Sequence, residues 1–289
     1  MTRSMSSGRD WLWHSFRRVP GVAIDWVTAL RRRRLFRQLF EEKQNLVRKR
    51  LFGSDPPIRV LTGPFQGLRY LDEITFGPIT PKWLGSYEFE IQDLIENVGL
   101  RRYPQIINLG CAEGYYAVGL AWCSPESRVI ACDIDPLARI QVRKLALING
   151  LSNRITVNGF CAHKQLQSFL TVPSLLLIDI EGKELELLNP SKLPQLRQAD
   201  ILVEIHATDR SNNPERTESL LRERFRETHS IERRTPLDRS EWIQQNRGIW
   251  QRCLTLEEVL NATNEYRSGE QAWLWMQTKR LQSRAGKWR

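Results

Sequence analysis

Between residues 105 and 205, short apolar runs alternate with longer stretches of helical spacing. Ile106-Ile107 with Leu109, Val129-Ile130-Ala131, Leu175-Leu176-Leu177-Ile178 and Ile201-Leu202-Val203 are too short for helices and show no polar alternation. Parallel strands covered on both faces read this way. Ile155-Thr156-Val157 predicts one further strand. The intervening segments supply helices. Tyr115 to Trp122 places Tyr115, Val118, Ala121 and Trp122 at helical spacing, and Pro136 to about Asn149 does so with Leu137, Ile140, Leu145 and Ile148. Pro136 suits a first helical position and Asn149-Gly150 a helix end. Strand alternating with helix predicts an α/β doubly wound, mostly parallel sheet.

The flanks follow other patterns. Arg59 to Leu61 and Gly67 to Leu71 read as two short strands around Gly63-Pro64-Phe65-Gln66. Phe89, Ile91, Leu94, Ile95 and Val98 predict a helix that starts near Ser86 or Tyr87 and ends near Gly99. Glu88 and Glu90 suit its first turn, where the helix dipole favours acids; Tyr87 and Glu88 could instead cover a cofactor pocket. Glu215 to Thr228 reads as a helix, and His229 to Arg233 with Ala272 to Gln277 as a final antiparallel strand pair. Between these strands an insertion at about 238–268 carries Trp242, Ile243, Ile249 and Trp250. There Thr255 and Glu258 form a capping-box pattern. Trp273 and Trp275 are expected to pack within their strand. The expected division is a basic helical arm over 1–58, a lead-in over 59–104 and the main domain over 105–289.

Charge sharpens this division. The chain has 289 residues and a net charge of +10, yet residues 1–58 hold 13 Lys/Arg against 5 Asp/Glu, and the remainder 30 against 28. The basic character belongs to the arm, where Trp11, Trp13 and Phe16 accompany the run Arg31 to Arg34. Such an arm suits a helix packed on the domain, an anionic lipid surface or a polyanion. A near-neutral main domain argues against nucleic acid as substrate, because phosphate binding needs cations around the site itself. The five cysteines show no metal-ligand spacing and read as thiols of a reducing, cytoplasmic compartment. No apolar run reaches the roughly 18 residues of a transmembrane helix, and no signal-peptide pattern opens the chain. A peripheral membrane contact of the arm stays open.

The chemistry centres on Gln105 to Asp135. Gly110 and Gly114 bracket a turn between a strand and a helix, and Asp133 stands just past the next strand. Glycines let the backbone approach a ligand, the helix N-terminus offers N–H groups, and an acid about 20 residues on can bind ribose hydroxyls. A dinucleotide fingerprint would require glycine at 110, 112 and 115; Ala112 and Tyr115 stand there instead. The spacing fits S-adenosylmethionine, which has no pyrophosphate to cradle. The expected cofactor contacts are Asn108, Gly110, Cys111, Ala112, Glu113, Gly114, Tyr115, Asp133, Ile134, Cys161, Asp179 and Glu88.

Two strand ends supply the reactive groups. Leu175 to Ile178 ends in Asp179-Ile180-Glu181-Gly182, and Ile201 to Val203 ends in Glu204-Ile205-His206. Residues i and i+2 share a strand face, so Asp179 with Glu181 and Glu204 with His206 are expected to project together. Ligands of open α/β sheets bind at the carboxyl ends of strands. If the two strands are neighbours, three acids and a histidine converge. His206 is the candidate general base, its ordinary pKa lying near neutrality. Asp179 would orient donor or acceptor, and Glu204 would hydrogen-bond the acceptor. Asp179, Glu181 and Glu204 would also serve a divalent cation if one is used, although no fixed metal motif is present.

At these residues the chain resembles the FkbM-type branch of class I S-adenosylmethionine-dependent methyltransferases. The likeness covers about 85–206 and, more weakly, continues to 278. It is carried by NLGCAEGYYAVGLA at 108–121, VIACDIDP at 129–136, LLLIDIEGKELELL at 175–188 and ADILVEIH at 199–206. It implies a Rossmann-like sheet of seven strands in the order 3-2-1-4-5-7-6 and O-methylation of a hydroxyl on a small molecule or glycan. It places Gly110 and Gly114 on the first cofactor motif, Asp133 on the ribose acid and Asp179 beside the transferred methyl group. Asn108 departs from the acid common at its position. A nucleic-acid methyltransferase is the alternative, without the Asn/Asp-Pro-Pro-aromatic signature of amine methylation after Leu177; a non-catalytic S-adenosylmethionine-binding module is another.

Overall fold

The computed structural model describes residues 42–54, 57–101, 103–206, 214–267 and 271–279. The Arg31 to Arg34 run and most of the arm, the loop at 207–213 and the tail beyond 279 lie outside the described residues. The chain forms two compact units. One takes the described residues up to Phe89 together with Leu237 to 267; the other takes Glu90 to Pro236 together with 271–279. No described helix is long and apolar enough to cross a membrane.

The larger unit is built on a seven-stranded sheet: β1 Gln105–Leu109, β2 Arg128–Cys132, β3 Ile155–Asn158, β4 Ser174–Ile178, β5 Asp200–Ile205, β6 His229–Arg234 and β7 Ala272–Thr278. Its order is β3-β2-β1-β4-β5-β7-β6, with β7 antiparallel to both neighbours and the other pairs parallel. Every residue of the central strands β4 and β5 is buried, which is why their sequences are continuous apolar runs. Ile107, Leu109, Leu176, Ile178, Ile201, Val203, Leu274 and Met276 share one core with Leu221 and Phe225 of the helix Pro214–Phe225. Removing one such leucine to alanine costs about 2–5 kcal/mol in a close-packed interior. The opposite register carries Asn108, Leu177 and Glu204.

Two helices differ from their predicted faces. In Tyr115–Cys123 burial extends around Tyr115, Ala117, Val118, Gly119, Leu120 and Ala121, while Trp122 is exposed. In Pro136–Ile148 the buried side is Ala138, Val142, Leu145 and Ala146, leaving Leu137 and Ile140 in solvent. In both cases small residues share the buried side with larger ones, while Trp122, Leu137 and Ile140 are exposed. His163 opens the helix His163–Phe169.

The smaller unit corrects the lead-in. Its two expected strands reduce to one bridge between Arg59 and Arg69, held by hydrogen bonds of Val60 and Gly67 and of Tyr70 with Ile58. The helix expected from Ser86 or Tyr87 begins later, as a 3-10 turn Phe89–Ile91 followed by Gln92–Arg101. Glu88 has φ 50, a left-handed conformation that a helix cannot contain. Trp242, Ile243, Trp250, Leu254 and Val259 pack with Leu84 and with Val47 of the helical stretch 42–52. The capping box at Thr255 and Glu258 is formed.

One buried histidine links the larger unit to pH. His229 donates through Nε2 to the Ala199 carbonyl at 2.9 Å and pairs through Nδ1 with Thr228 Oγ1 at 2.8 Å. Burial pushes its pKa below the ordinary histidine value. The folded state thus resists protonation more than the unfolded one. Stability is full above about pH 6.5 and falls as the pH drops below it, by at most about 1.4 kcal/mol per pH unit for one group. Thermal unfolding of the wild type is expected to lose more between pH 7.5 and 5.5 than that of His229→Gln; equal losses would refute this assignment.

Candidate functional site

The turn after β1 is set by backbone geometry. Gly110 has φ 75, and a Cβ there would come within 1.6 Å of the Asp179 carbonyl oxygen. Glycine is required because β1 and β4 close on one another at this point. Gly114, with φ 101, precedes the helix Tyr115–Cys123. Between them Ala112 is also left-handed, with φ 46, a conformation costly for a residue with a Cβ. It aims the Ala112 N–H at Asp133, whose Oδ2 accepts at 2.9 Å, while Oδ1 accepts from Asp135 N at 2.9 Å. Asp133 therefore ties the end of β2 to the turn and is only half-buried. Arg139 braces the same loop, donating to the carbonyls of Asp133 and Ile134 at 2.8 and 2.9 Å.

Asn108 lies in the middle of this arrangement, 1% exposed. Its Nδ2 donates to the Leu177 carbonyl at 3.3 Å, and its Oδ1 is buried with no hydrogen-bond partner. Cys111, Glu113 and Tyr115 are buried, Glu113 completely. Cys161 is half-buried in the loop after β3. Glu88 belongs to the smaller unit. There its N–H donates to Glu265 Oε1 at 3.2 Å, and its carboxylate pairs with Arg267 at 3.2 Å.

The acids and the histidine do converge. β4 and β5 are hydrogen-bonded neighbours, paired as far as Ile178 with Val203, so Asp179 and Glu204 follow side by side. Nε2 of His206 lies 3.8 Å from Asp179 Oδ1, 3.5 Å from Glu181 Oε2 and 3.6 Å from Glu204 Oε2. Glu181 reaches this point by a different route from simple strand alternation: it has φ 55, followed by Gly182 at φ 97. A left-handed turn folds its carboxylate back over the strand ends. Sequence reasoning missed Glu184. It is fully buried at the start of Glu184–Leu187; its Oε1 meets His206 Nδ1 at 2.9 Å and accepts from Gly182 N at 3.0 Å. The signal was a third acid within IDIEGKELELL, masked by the ordinary preference for acids in a first helical turn. Thr217 Oγ1 donates to the His206 carbonyl at 2.8 Å and fixes the strand end.

The acids alter the histidine. Burial alone would lower its pKa; Glu204, Glu184 and Glu181 outweigh burial and hold it well above the ordinary value. The expectation of an imidazole with an ordinary pKa near neutrality is thereby corrected: its carboxylate neighbours shift it upward. Trp273, directly opposite Glu204 in the β5–β7 ladder, is fully buried and meets Tyr116 edge-on at 6.3 Å. Trp273 and Trp275 do pack within their strand. The described cysteines are free; burial pushes the Cys123 thiol up to about 11, so it is unreactive at neutral pH.

No family model and no curated protein matches the chain. Among solved structures it is similar to the O-methyltransferase TomG from Streptomyces achromogenes, involved in tomaymycin synthesis and solved with SAM, at 12% identity, covering 64% of this chain and 78% of that one, TM-score 0.42. It is also similar to an O-methyltransferase from Bacillus cereus in complex with SAH, at 15% identity, 64% and 79% coverage and TM-score 0.42. A human methyltransferase 10 domain containing protein gives 14% identity, 65% and 79% coverage and TM-score 0.40. At these values the likeness says nothing of the acceptor, and what the site does follows from its own residues.

Proposed function

We propose that the larger unit binds S-adenosylmethionine in the turn after β1 and transfers its methyl group to a hydroxyl oxygen of a small molecule or glycan. The observation that carries this reading is Asp133, a carboxylate at the end of β2 held against the turn by Ala112 N. It stands at the carboxyl end of β2, next to the strand where an open parallel sheet takes its ligand. A ribose bound there would offer its two hydroxyls to that carboxylate. The buried, unpartnered Oδ1 of Asn108 can accept from the donor's ammonium group. The motifs at 108–121 and 175–188 resemble the FkbM-type branch, which supports an oxygen acceptor.

The reaction is a direct displacement. The acceptor oxygen attacks the methyl carbon, the carbon–sulfur bond breaks, and the sulfonium becomes a neutral thioether. The acceptor proton leaves to the carboxylate–imidazole cluster of Asp179, Glu204 and His206. The evenly balanced charge of the unit argues for a small or glycan acceptor over nucleic acid. Calorimetric titration with S-adenosylhomocysteine tests the reading: one equivalent is expected, with a dissociation constant of about 1–100 μM, worth roughly 5.5–8 kcal/mol. A folded protein that takes up none would overturn it.

A further inference from the structure

We propose that the ends of β4 and β5 form a site for a first-row divalent metal ion, held by Asp179, Glu181 and Nε2 of His206, with Glu204 as a fourth ligand. Ligand atoms of Asp179, Glu181 and His206 all lie within 4.8 Å of one another. Nε2 stands 3.5–3.8 Å from an oxygen of each of the three acids. Ligands about 2.2 Å from a shared centre lie about 3.1 Å apart when adjacent and about 4.4 Å apart when opposite. The Nε2 spacings fall between these, so a cation enters with small side-chain adjustments.

An acidic cluster alone would not point to a metal; the histidine does. Its side chain is nine-tenths buried, and Nε2 has no hydrogen-bond partner although it is aimed into the three acids. The other ring nitrogen is engaged by Glu184 Oε1 at 2.9 Å. A carboxylate behind the far nitrogen fixes ring orientation and directs the near nitrogen's lone pair at a metal. Glu184 is itself held by Gly182 N, so the turn that bends Glu181 inward also seats the histidine's partner. A residue with a Cβ at φ 55 costs on the order of 1 kcal/mol, and at position 181 that bend places the carboxylate at Nε2. One imidazole with two or three carboxylates suits Mn²⁺, Fe²⁺ or Zn²⁺ better than the all-oxygen ions Mg²⁺ and Ca²⁺. The remaining coordination positions take oxygen from water. The site asks nothing of the methyl donor and stands or falls apart from the reading above.

The test is titration of the chelator-treated full chain with Mn²⁺, followed by the resonance signal of the free ion, with Zn²⁺ and Mg²⁺ titrated by calorimetry. One equivalent of Mn²⁺ is expected, with Zn²⁺ bound more than tenfold tighter than Mg²⁺. Glu181→Gln should weaken Mn²⁺ binding more than tenfold and Glu184→Gln about 10–100-fold, whereas Glu186→Gln, an exposed acid in the same helix, should leave it unchanged. With Co²⁺, an imidazole resonance of the wild type should be paramagnetically shifted, which decides the matter even if a variant fails to fold. No saturable Mn²⁺ or Zn²⁺ uptake by the folded wild type, unchanged affinity in folded Glu181→Gln, or no shifted imidazole would each overturn the site. S-Adenosylhomocysteine titrated into the same sample reports on the cofactor separately.

Discussion

Gly110→Ala is expected to be the most damaging single substitution in the larger unit, costing more than about 4 kcal/mol. The added methyl would lie 1.6 Å from the Asp179 carbonyl oxygen, a backbone atom that no rotamer change can move. The strand ends would have to separate, and Asp179 N would lose its 2.9 Å bond to the Leu109 carbonyl. A residue with a Cβ also disfavours φ 75 by about 1–2 kcal/mol. Urea unfolding, or the soluble yield if the variant does not accumulate, measures the effect. A midpoint within about 1 kcal/mol of wild type would mean that β1 and β4 are not held this closely in solution.

Asp133→Ala is expected to lower affinity for S-adenosylhomocysteine by at least about 100-fold, close to 3 kcal/mol. The carboxylate serves two purposes, and the variant loses both. The N–H groups of Ala112 and Asp135 lose their acceptor, at roughly 1–3 kcal/mol for each left unsatisfied, and the ribose loses its anchor. Asp133→Asn separates these effects in part, because one oxygen remains while the new amide nitrogen opposes an N–H. It should retain more stability than Asp133→Ala yet still bind the ligand weakly. Calorimetry and thermal unfolding on both variants measure the two losses. Wild-type affinity in a folded Asp133→Ala would remove the cofactor assignment.

Much of this site was legible before any coordinates. The runs at 175–178 and 201–203 are wholly apolar because their strands are covered on both faces, so the acids that end them stood out. What they meet is decided by strand neighbours: the pairing of Ile178 with Val203 brings Asp179 beside Glu204. The positive φ of Ala112 and Glu181 was not legible, because neither residue type favours it. Tertiary closure imposes those bends, and with them the direction in which Glu181 points. Glu184 was hidden for a related reason: an acid in a first helical turn needs no further explanation until a buried imidazole is found against it. The lead-in misled because Gly63 and Gly67 suggest a hairpin, whereas only one bridge closes and other partners lie at Trp83, at Leu84 and in residues 237–267.

β7 is the last of the described strands to be synthesised, yet it lies between β5 and β6 in the finished sheet. On the ribosome, β5 must therefore wait with an open edge while the whole of 206–271 is made, and β6 has nothing to pair with until β7 begins to emerge. Arg233 and Arg234 in β6 and the acid Glu204 in β5 put charge on these waiting edges, a familiar guard against premature pairing with other chains. Closure of this edge of the sheet is thus a late event, governed by the final stretch of translation, and a release before residue 272 would leave β5, the strand that leads into His206, without its β7 partner.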